Sequence, residues 1–402
     1  MKRKLCLLLS LLMMTSAFVG CNKASEGAQG VTDTTVKVGN SIATSGAFAP
    51  VGVPFKAGIE AYFKMVNEAG GINGRKIEYV HQDDEFNPEK GKAALDRMVN
   101  DEKVFALVGH FGTPIVGATL NDIKEIGIPA VYFATGTGIL YNENATENGR
   151  NIYPVQPVYP MEGRIMAAWA KGELNGTKIG VVYTNDDAGK DLLTGIEKEA
   201  AEIGIEVVAE QVAPGAEDTS AAITKIKNSG ADVVIVAAIQ GTFPQIVKEL
   251  AKQGMDKPVI TTYVNADITM TDAVAKDVNG KFDIYANAWV DVSKESINKY
   301  REWIAKVSSE DFANNSYAMT GWIAAHFFCE GLRRVDGELT WDSYMTALES
   351  SPVENPFGGS IDFSNGKRTG TQEMSLVKMD ATTEGGWVAH VGFKTIEQIL
   401  GK

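Results

Sequence analysis

Cysteine and histidine are scarce in this chain, and their scarcity excludes several kinds of site. Among 402 residues there are three cysteines and four histidines. No two histidines stand at HExxH spacing and no Cys-x-x-Cys pair occurs, which excludes the zinc sites that depend on these motifs. A G-x-S-x-G nucleophile elbow is also missing. We therefore predict a protein that is not an enzyme and that needs no metal or cofactor.

Glycine-rich phosphate loops are missing as well. The triplet NGK at residues 365–367 lacks the glycine that such a loop needs five residues before Gly366, because Ile361 stands there. The triplet GTG at residues 136–138 lacks the third glycine of a dinucleotide fingerprint. Neither segment predicts nucleotide binding.

Basic residues are outnumbered by acidic ones. Lysine and arginine total 38 against 51 aspartates and glutamates, which gives a net charge of −13. Binding to nucleic acid requires a basic face, so we expect no nucleic-acid partner. The chain is 44% hydrophobic and 22% charged, an ordinary globular composition, and it is long enough for two or three domains.

A strongly apolar run stands at the start of the chain. A basic beginning precedes the apolar stretch 5–18, and the small Gly20 precedes Cys21. This pattern predicts a signal peptide over residues 1–20, and it resembles a bacterial lipoprotein signal in which Cys21 is lipidated. Residues 21–30 are small and polar and predict a flexible tether. The protein would then be exported and lipid-anchored, on the outer face of the cytoplasmic membrane or in the periplasm; an uncleaved anchor is the alternative.

From residue 35 onward, short apolar runs alternate with amphipathic stretches. The predicted strands are 36–43, 76–83, 104–109 and 128–133 in a first array, and 178–184, 205–210, 231–238 and 258–262 in a second. The first predicted helix is 54–69, with Pro54 in its first turn. Strands that alternate with helices predict an α/β fold with two parallel-sheet lobes.

The order of elements changes after residue 280. Three helical stretches follow, and two short strands near the end have no sheet of their own. We expect the helices to pack back on the first lobe and the strands to extend a sheet edge, so that the chain crosses between lobes several times and forms a hinge. The predicted bounds are 31–152 with 285–357 for the first lobe, and 153–284 with 358–402 for the second.

Four segments carry a family resemblance. They are SIATSGAFAPVG, AGIEAYFKMVNEAGGINGRKIEYVHQDDEFNPEKG, VFALVGHFGT and IPAVYFATGTG. The chain resembles the extracytoplasmic binding proteins of branched-chain amino acid ABC transporters, the leucine/isoleucine/valine-binding class. The resemblance implies a type I periplasmic binding protein fold, with two Rossmann-like parallel-sheet lobes joined by a multi-crossover hinge and a ligand between them.

The segment VFALVGHFGT ends a predicted strand in glycines and a hydroxyl. Ligands of open parallel sheets bind beyond the carboxyl ends of strands, and a helix opening at Pro114 would favour an anion. In the family, this loop and the loop after the next strand hold the ligand carboxylate, with a contribution from the loop after the first strand. The matching residues are Ser45, Phe48, Phe111, Gly112, Thr113, Thr135, Gly136 and Thr137. The alternative is that they are ordinary turn residues.

The sequence departs from the family where an amine would be recognised. In leucine-type binders an acid of the second lobe pairs with the ligand ammonium, and the matching position falls on or near Val264. Asp267, Asp186 and Asp187 are the candidates to replace it, with solvated loop acids as the alternative. Other expectations are Gln240 and Thr242 as polar contacts, Tyr263, Phe243 and Trp322 as pocket walls or core packing, His110 as a ligand contact or a structural histidine, and Cys329 as a buried thiol.

These features predict a solute-binding lipoprotein of an ABC importer. Its ligand would be a small carboxylate, with a branched-chain or other amino acid as the default. Its partners would be ABC permease subunits, and the membrane through the lipid anchor, with the chain itself a monomer. Two alternatives stay open: a detached ligand-sensing subunit, and an importer subunit retargeted to an amine-free acid such as an aromatic one.

Overall fold

Two helix-covered sheets form the protein, and the first is built from the N-terminal part of the chain. A computed structural model describes residues 28–402 apart from 147, 240 and 384. The elements of the first lobe are β1 (Thr35–Ile42), α1 (Ala49–Glu68), β2 (Lys76–Asp83), α2 (Pro88–Asn100), β3 (Ala106–Phe111), α3 (Thr113–Ile126), β4 (Ala130–Ala134) and β5 (Ile152–Tyr153). The strands are parallel in the order β2-β1-β3-β4-β5.

The second lobe contains the larger sheet. Its first elements are α4 (Tyr159–Gly172), β6 (Lys178–Thr184), α5 (Asp187–Ile203), β7 (Glu206–Val212), α6 (Ser220–Asn228), β8 (Val233–Ala237), α7 (Thr242–Lys252), β9 (Val259–Thr261), α8 (Ile268–Val278) and β10 (Ile284–Ala288). The predicted α/β fold with two successive parallel arrays is confirmed.

The last third of the chain completes both lobes. It contains α9 (Ser296–Ile304), α10 (Ser316–Arg334), α11 (Trp341–Glu349), β11 (Val353–Glu354), β12 (Ser360–Ile361), β13 (Met374–Met379), β14 (Trp387–Lys394) and α12 (Ile396–Ile399). α9 and α10 pack on α1. β13 and β14 extend the second sheet antiparallel, in the order β14-β13-β10-β9-β8-β6-β7.

Glycines set the close contact between α1 and α10. A Cβ at Gly321 would lie 1.9 Å from the carbonyl oxygen of Phe55, and a Cβ at Gly58 would lie 1.9 Å from that of Ala318. The two backbones therefore touch at this crossing, and the interior is filled by the large apolar side chains around it.

The first helix begins earlier than predicted. α1 starts at Ala49, and Pro50 rather than Pro54 occupies its first turn, where the missing N–H has no partner to lose. A Cβ at Gly52 would lie 1.9 Å from the carbonyl oxygen of Ala43. This early turn is therefore packed on the end of β1, a contact that residue periodicity does not reveal.

The segments that connect elements of one sheet with elements of the other are 154–158, 289–295 and 369–373, here called the first, second and third crossings. The predicted crossing at 284/285 is wrong, because β10 continues to Ala288 and pairs there with Ser375 of β13. The predicted crossing at 357/358 is also too early, because the Arg368 guanidinium donates to the carbonyl oxygen of Arg150 in the first lobe at 2.7 Å. Thr371 Oγ1 donates to the Val155 carbonyl at 2.7 Å and so joins the first and third crossings.

The folded body starts before residue 31. The Gln29 amide donates to the carbonyl oxygens of Val99 at 3.2 Å and Val104 at 3.0 Å, so the tether bound predicted at residue 30 lies slightly too late. The signal peptide and Cys21 lie outside the described residues. Among the helices that are described, none combines the length and apolar character needed to cross a membrane.

Candidate functional site

The candidate site lies where the order of the first sheet reverses. From β1 the chain passes to β2 on one side and then to β3 on the other. Open parallel sheets bind ligands in the crevice outside the carboxyl ends of their strands at such a reversal. The loops that follow β1 to β4 all leave this edge, because parallel strands end on the same side.

Two threonine hydroxyls meet at this edge. Thr113 Oγ1 lies 2.8 Å from Thr135 Oγ1, and Thr135 Oγ1 accepts a hydrogen bond from the N–H of Thr137 at 3.2 Å. Thr113 is exposed, whereas Thr135 and Thr137 are buried. The structure thus brings together the two loops that the sequence singles out.

The N-terminus of α3 begins beside these hydroxyls. Its N-cap is Gly112, with φ of 92°, a conformation that a residue with a Cβ adopts only at a cost of about 1–2 kcal/mol. The first N–H groups of a helix lack partners within the helix, and its dipole is positive at this end. The position therefore suits an anion such as a carboxylate.

Three phenylalanine rings adjoin the same loops. Phe48 and Phe86 are stacked with their centroids 3.6 Å apart, and Phe86 lies edge-on to Phe111 at 6.2 Å. A Cβ at Gly112 would lie 2.7 Å from the Phe86 ring. Phe86 was not predicted. The one signal was the pair Asp83 and Asp84, which ends two residues before Phe86, since aspartates hold turns through their side chains.

The loops after β1 and β2 are held together by one of those acids. Asp83 Oδ1 accepts hydrogen bonds from the N–H of Thr44 at 3.1 Å and of Glu85 at 2.9 Å. Burial alone would raise the pKa of Asp83, but the donors around it, including Ser45, lower that pKa. Ser45 stands beside this carboxylate, and its contact with a ligand stays a prediction.

The three acids predicted in the second lobe lie at helix starts. Asp186 Oδ1 accepts from the N–H of Gly189 at 2.9 Å and so caps α5, whose first residue is Asp187. Asp267 Oδ1 accepts from the N–H of Thr269 at 2.9 Å and caps α8. Carboxylates at these positions stabilise the helices that they begin.

A different acid reaches across to the first lobe. The N–H of Gly138 donates to Asp191 Oδ2 at 2.6 Å, and the N–H of Tyr159 donates to the carbonyl oxygen of Gly136 at 2.7 Å. A Cβ at Gly138 would lie 2.5 Å from the Asp191 carboxylate, and one at Gly136 would lie 2.7 Å from the Tyr159 ring. The two glycines thus let the second lobe touch the loop after β4. Sequence reasoning missed Asp191, although it stands one helical turn after Asp187.

Tyr263 takes part in a hydrogen-bond chain between the lobes. Tyr132 of β4 donates its hydroxyl hydrogen to Gln156 Oε1 at 3.0 Å. Gln156 Nε2, in the first crossing, donates to the Tyr263 hydroxyl at 2.8 Å. The Tyr263 ring lies edge-on to Trp289 of the second crossing at 6.4 Å. The predicted pocket residue Tyr263 therefore lies against the hinge.

Glu162 is a fully buried acid that is bonded to the backbone of Tyr263. Glu162, in the first turn of α4, accepts hydrogen bonds from Thr262 Oγ1 and the Tyr263 N–H at 2.8 Å each, and from Asn287 Nδ2 at 3.3 Å. Burial raises the pKa of Glu162 to about 7, although the three donors oppose that rise. No motif marked this residue, because its partners are 100 or more residues away in the chain.

Thr242 and Gln240 are the other residues of the second lobe that were predicted as polar contacts to a ligand. Thr242 is buried, and its Oγ1 accepts from the N–H of Gly215 at 2.8 Å. Gln240 lies outside the described residues. Phe243 and Trp322 are 0% and 2% exposed, so both belong to the core.

His110 and Cys329 are structural residues. His110 is buried with its Nε2 2.8 Å from Thr119 Oγ1. Thr119 donates its own hydrogen to the Ile115 carbonyl, so Nε2 carries the ring hydrogen of His110. Burial lowers the pKa of this imidazole to about 4 and keeps it neutral. Cys329 is a buried free thiol, as predicted.

Comparison with curated proteins finds relatives with solute-binding names. An amino acid binding protein of Pseudomonas aeruginosa is 28% identical over 238 residues, which are 59% of this chain and 61% of that protein. The chain thus spans about three fifths of the length of this relative.

Solved structures share the fold over nearly the whole chain. A fatty acid ABC transporter substrate-binding protein from Thermomonospora curvata has a TM-score of 0.71 at 21% identity, and the match covers 94% of this chain and 96% of that one. A branched chain amino acid ABC transporter from Thermus thermophilus with bound valine has a TM-score of 0.71 at 18% identity, covering 92% and 100%. The model of the family described as periplasmic binding protein matches residues 35–385. The chain therefore belongs to the periplasmic binding protein family, with the two-lobed type I fold.

Proposed function

We propose that this protein captures a small solute with a carboxylate group between its lobes and delivers it to the permease of an ABC importer. The observation that carries the proposal is the pair of hydroxyls of Thr113 and Thr135 beside the N-terminus of α3. Hydroxyl and N–H donors of this kind recognise an oxyanion. The names of the amino acid and fatty acid relatives support it, because both kinds of solute bear a carboxylate.

Capture would occur by closure of the lobes about the three crossings. A ligand that contacts both lobes stabilises the closed arrangement only by its difference in affinity for the two states. The bond from Gly138 to Asp191 and the chain from Tyr132 through Gln156 to Tyr263 are contacts that closure would favour.

We infer that the protein works outside the cytoplasm, held by a lipid on Cys21, as a monomer that docks on permease subunits. Radiolabelled palmitate incorporated by the wild type but not by Cys21→Ser would support the anchor, whereas equal labelling would count against it. Uptake of the identified ligand, lost on gene deletion and restored by complementation, would distinguish an importer subunit from a detached sensor.

The first test is a thermal-shift screen of the full chain purified in detergent. The panel contains the twenty amino acids, short aliphatic acids and benzoate-type acids. At one hundred times its dissociation constant, a true ligand adds about 2.7 kcal/mol of stability, which is readily visible. A folded protein that responds to no member of the panel would contradict the proposal.

Thr135→Val should weaken binding of any carboxylate found in that screen by about tenfold. Valine keeps the shape of threonine but cannot pair with Thr113 Oγ1 or accept from the Thr137 N–H, and one such hydrogen bond contributes about 1 kcal/mol. Isothermal titration calorimetry gives the affinity. Thr224→Val is the matched control, because its hydroxyl bonds only within and beside α6. Equal affinity in all three proteins would place the carboxylate elsewhere.

A further inference from the structure

We propose that Phe48 and Phe86 form an aromatic subsite beside the hydroxyl loops, and that the solute is an amine-free carboxylic acid with an apolar or aromatic body. This inference rests on the proposed function and narrows the class of its ligand.

The two rings are placed against the proposed carboxylate position. Phe86 stacks on Phe48 with an interplanar angle of 17° and covers Gly112 so closely that no Cβ would fit between them. Gly112 is followed directly by Thr113, the first residue of α3. A carboxylate bound at this helix start would therefore extend its first carbons along an aromatic surface rather than into a polar one.

The backbone holds the Phe86 ring there in an unfavourable conformation. Glu85 and Phe86 have φ of 52° and 60°, in the left-handed region that residues with a side chain rarely adopt. Asp84 maintains it: its Oδ1 accepts from the Phe86 N–H at 2.8 Å, and its Oδ2 bonds to the Ser41 hydroxyl. Asp84 is itself fully buried. Strained residues held in this way cluster at ligand sites.

Phe48 offers open apolar surface beside the hydroxyl loops. It is one of the large apolar residues with marked exposure in the described part of the chain, with Ile139, Val292 and Tyr317. Phe48 lies between β1 and α1, and its ring stacks on Phe86. Open apolar surface beside a few polar donors suits a ligand that carries both kinds of group.

Four acids near this region already accept hydrogen bonds from donors of the protein, whereas Asp187 lies exposed at the start of α5. Asp186 and Asp267 cap helices, Asp191 accepts the Gly138 N–H, and Glu162 is fully buried with three donors. An ammonium group enclosed beside aromatic rings needs a carboxylate partner, because an unpaired buried charge is unfavourable. A ligand without an amine does not need such a partner.

Matched ligand pairs test the chemical class. Calorimetry on the full chain would compare 3-phenylpropanoate with phenylalanine, and 4-methylpentanoate with leucine, each pair differing by the amine alone. We expect the amine-free member to bind at least tenfold more tightly in both pairs.

Matched variants test the two rings. Phe48→Ala and Phe86→Gly should each weaken 3-phenylpropanoate binding at least tenfold, whereas Phe393→Ala on the second-lobe edge strand β14 should not. Glycine at position 86 relieves the left-handed backbone. Lost affinity with an unchanged thermal midpoint in the absence of ligand would therefore reflect the missing ring and not unfolding.

The outcomes separate this inference from the function on which it rests. Amino acids that bind more tightly than their amine-free partners, or ring variants that bind like the wild type, would overturn the inference and leave carboxylate capture standing. A wild-type protein that binds none of the four compounds and none of the wider panel would overturn the proposed function itself.

Discussion

Replacing Glu162 by glutamine should remove a pH dependence of stability of about 3 kcal/mol between pH 4.5 and 8. Burial raises the pKa of this carboxyl from 4.5 to about 7, and each unit corresponds to about 1.4 kcal/mol. The folded state therefore prefers the protonated form. The stabilisation that protonated Glu162 gives the folded state is complete below pH 4.5. It decreases as the pH rises to 7 and is absent above that pH.

Comparing the unfolding free energies of the wild type and Glu162→Gln separates the effect of Glu162 from the effects of other titrating groups. Burial lowers the pKa of His81, His110 and His326 to about 4, so these imidazoles reduce stability as the pH falls from 6.5 to 4. That effect has the opposite sign and is common to wild type and variant. The hydroxyls of Tyr159 and Tyr263 near Glu162 have pKa values raised by burial and stay neutral throughout.

The measurement is urea unfolding of both proteins at pH 4.5, 6 and 8. We expect the unfolding free energy of Glu162→Gln minus that of the wild type to rise with pH. The amide can still accept from the Tyr263 N–H and can donate to Thr262 Oγ1, so the variant should fold. A difference that does not change with pH would show that Glu162 is ionised in the native protein.

Gly136→Ala should weaken ligand binding about thirtyfold and shift the free protein toward an open arrangement. The new methyl group would lie 2.7–2.9 Å from three atoms of the Tyr159 ring, and relieving such a contact costs about 2 kcal/mol. The cost falls on the arrangement in which the lobes touch, because Gly136 is not among the glycines with positive φ and its backbone therefore adds no left-handed strain to alanine. Apparent affinity falls with the population of that arrangement.

Calorimetry and small-angle X-ray scattering, with and without ligand, measure the two effects of Gly136→Ala. Gly117→Ala on α3 is the matched control, because a Cβ there meets no atom within 4 Å. If Gly136→Ala retains wild-type affinity and scattering, the contact with Tyr159 is hinge packing common to both arrangements.

The alternation of strands and helices was predictable because it depends on local periodicity. The run of apolar and β-branched residues at 104–109 was enough to predict β3. The glycine and proline at the start of α3 were enough to predict that helix. The early start of α1 was not predictable, since its first turn is held by packing of Gly52 on Ala43. The end of β10 likewise depends on Ser375, almost ninety residues later in the chain.

Some residues of the candidate site were likewise predictable from the sequence, and others were not. Thr113 and Thr135 follow neighbouring strands, so topology brings them together without further information. Phe86 depends on Asp84, which is in turn bonded to Ser41 from 43 residues earlier in the chain. Glu162 depends on Thr262 and Asn287. Residues whose surroundings come from distant segments leave no pattern of their own in the sequence.

The three crossings also determine the order in which the chain can fold during synthesis. The strands of the first sheet are complete at Tyr153, but α10, which covers α1, ends only at Arg334. At about 5–20 residues per second, the roughly 250 residues from α1 to α10 take on the order of ten to fifty seconds to emerge from the ribosome. The apolar face of α1 is therefore without its native cover for that time. Neither lobe corresponds to one uninterrupted stretch of the gene, so a fragment that ends at either of the first two crossings exposes this core and invites chaperones or aggregation.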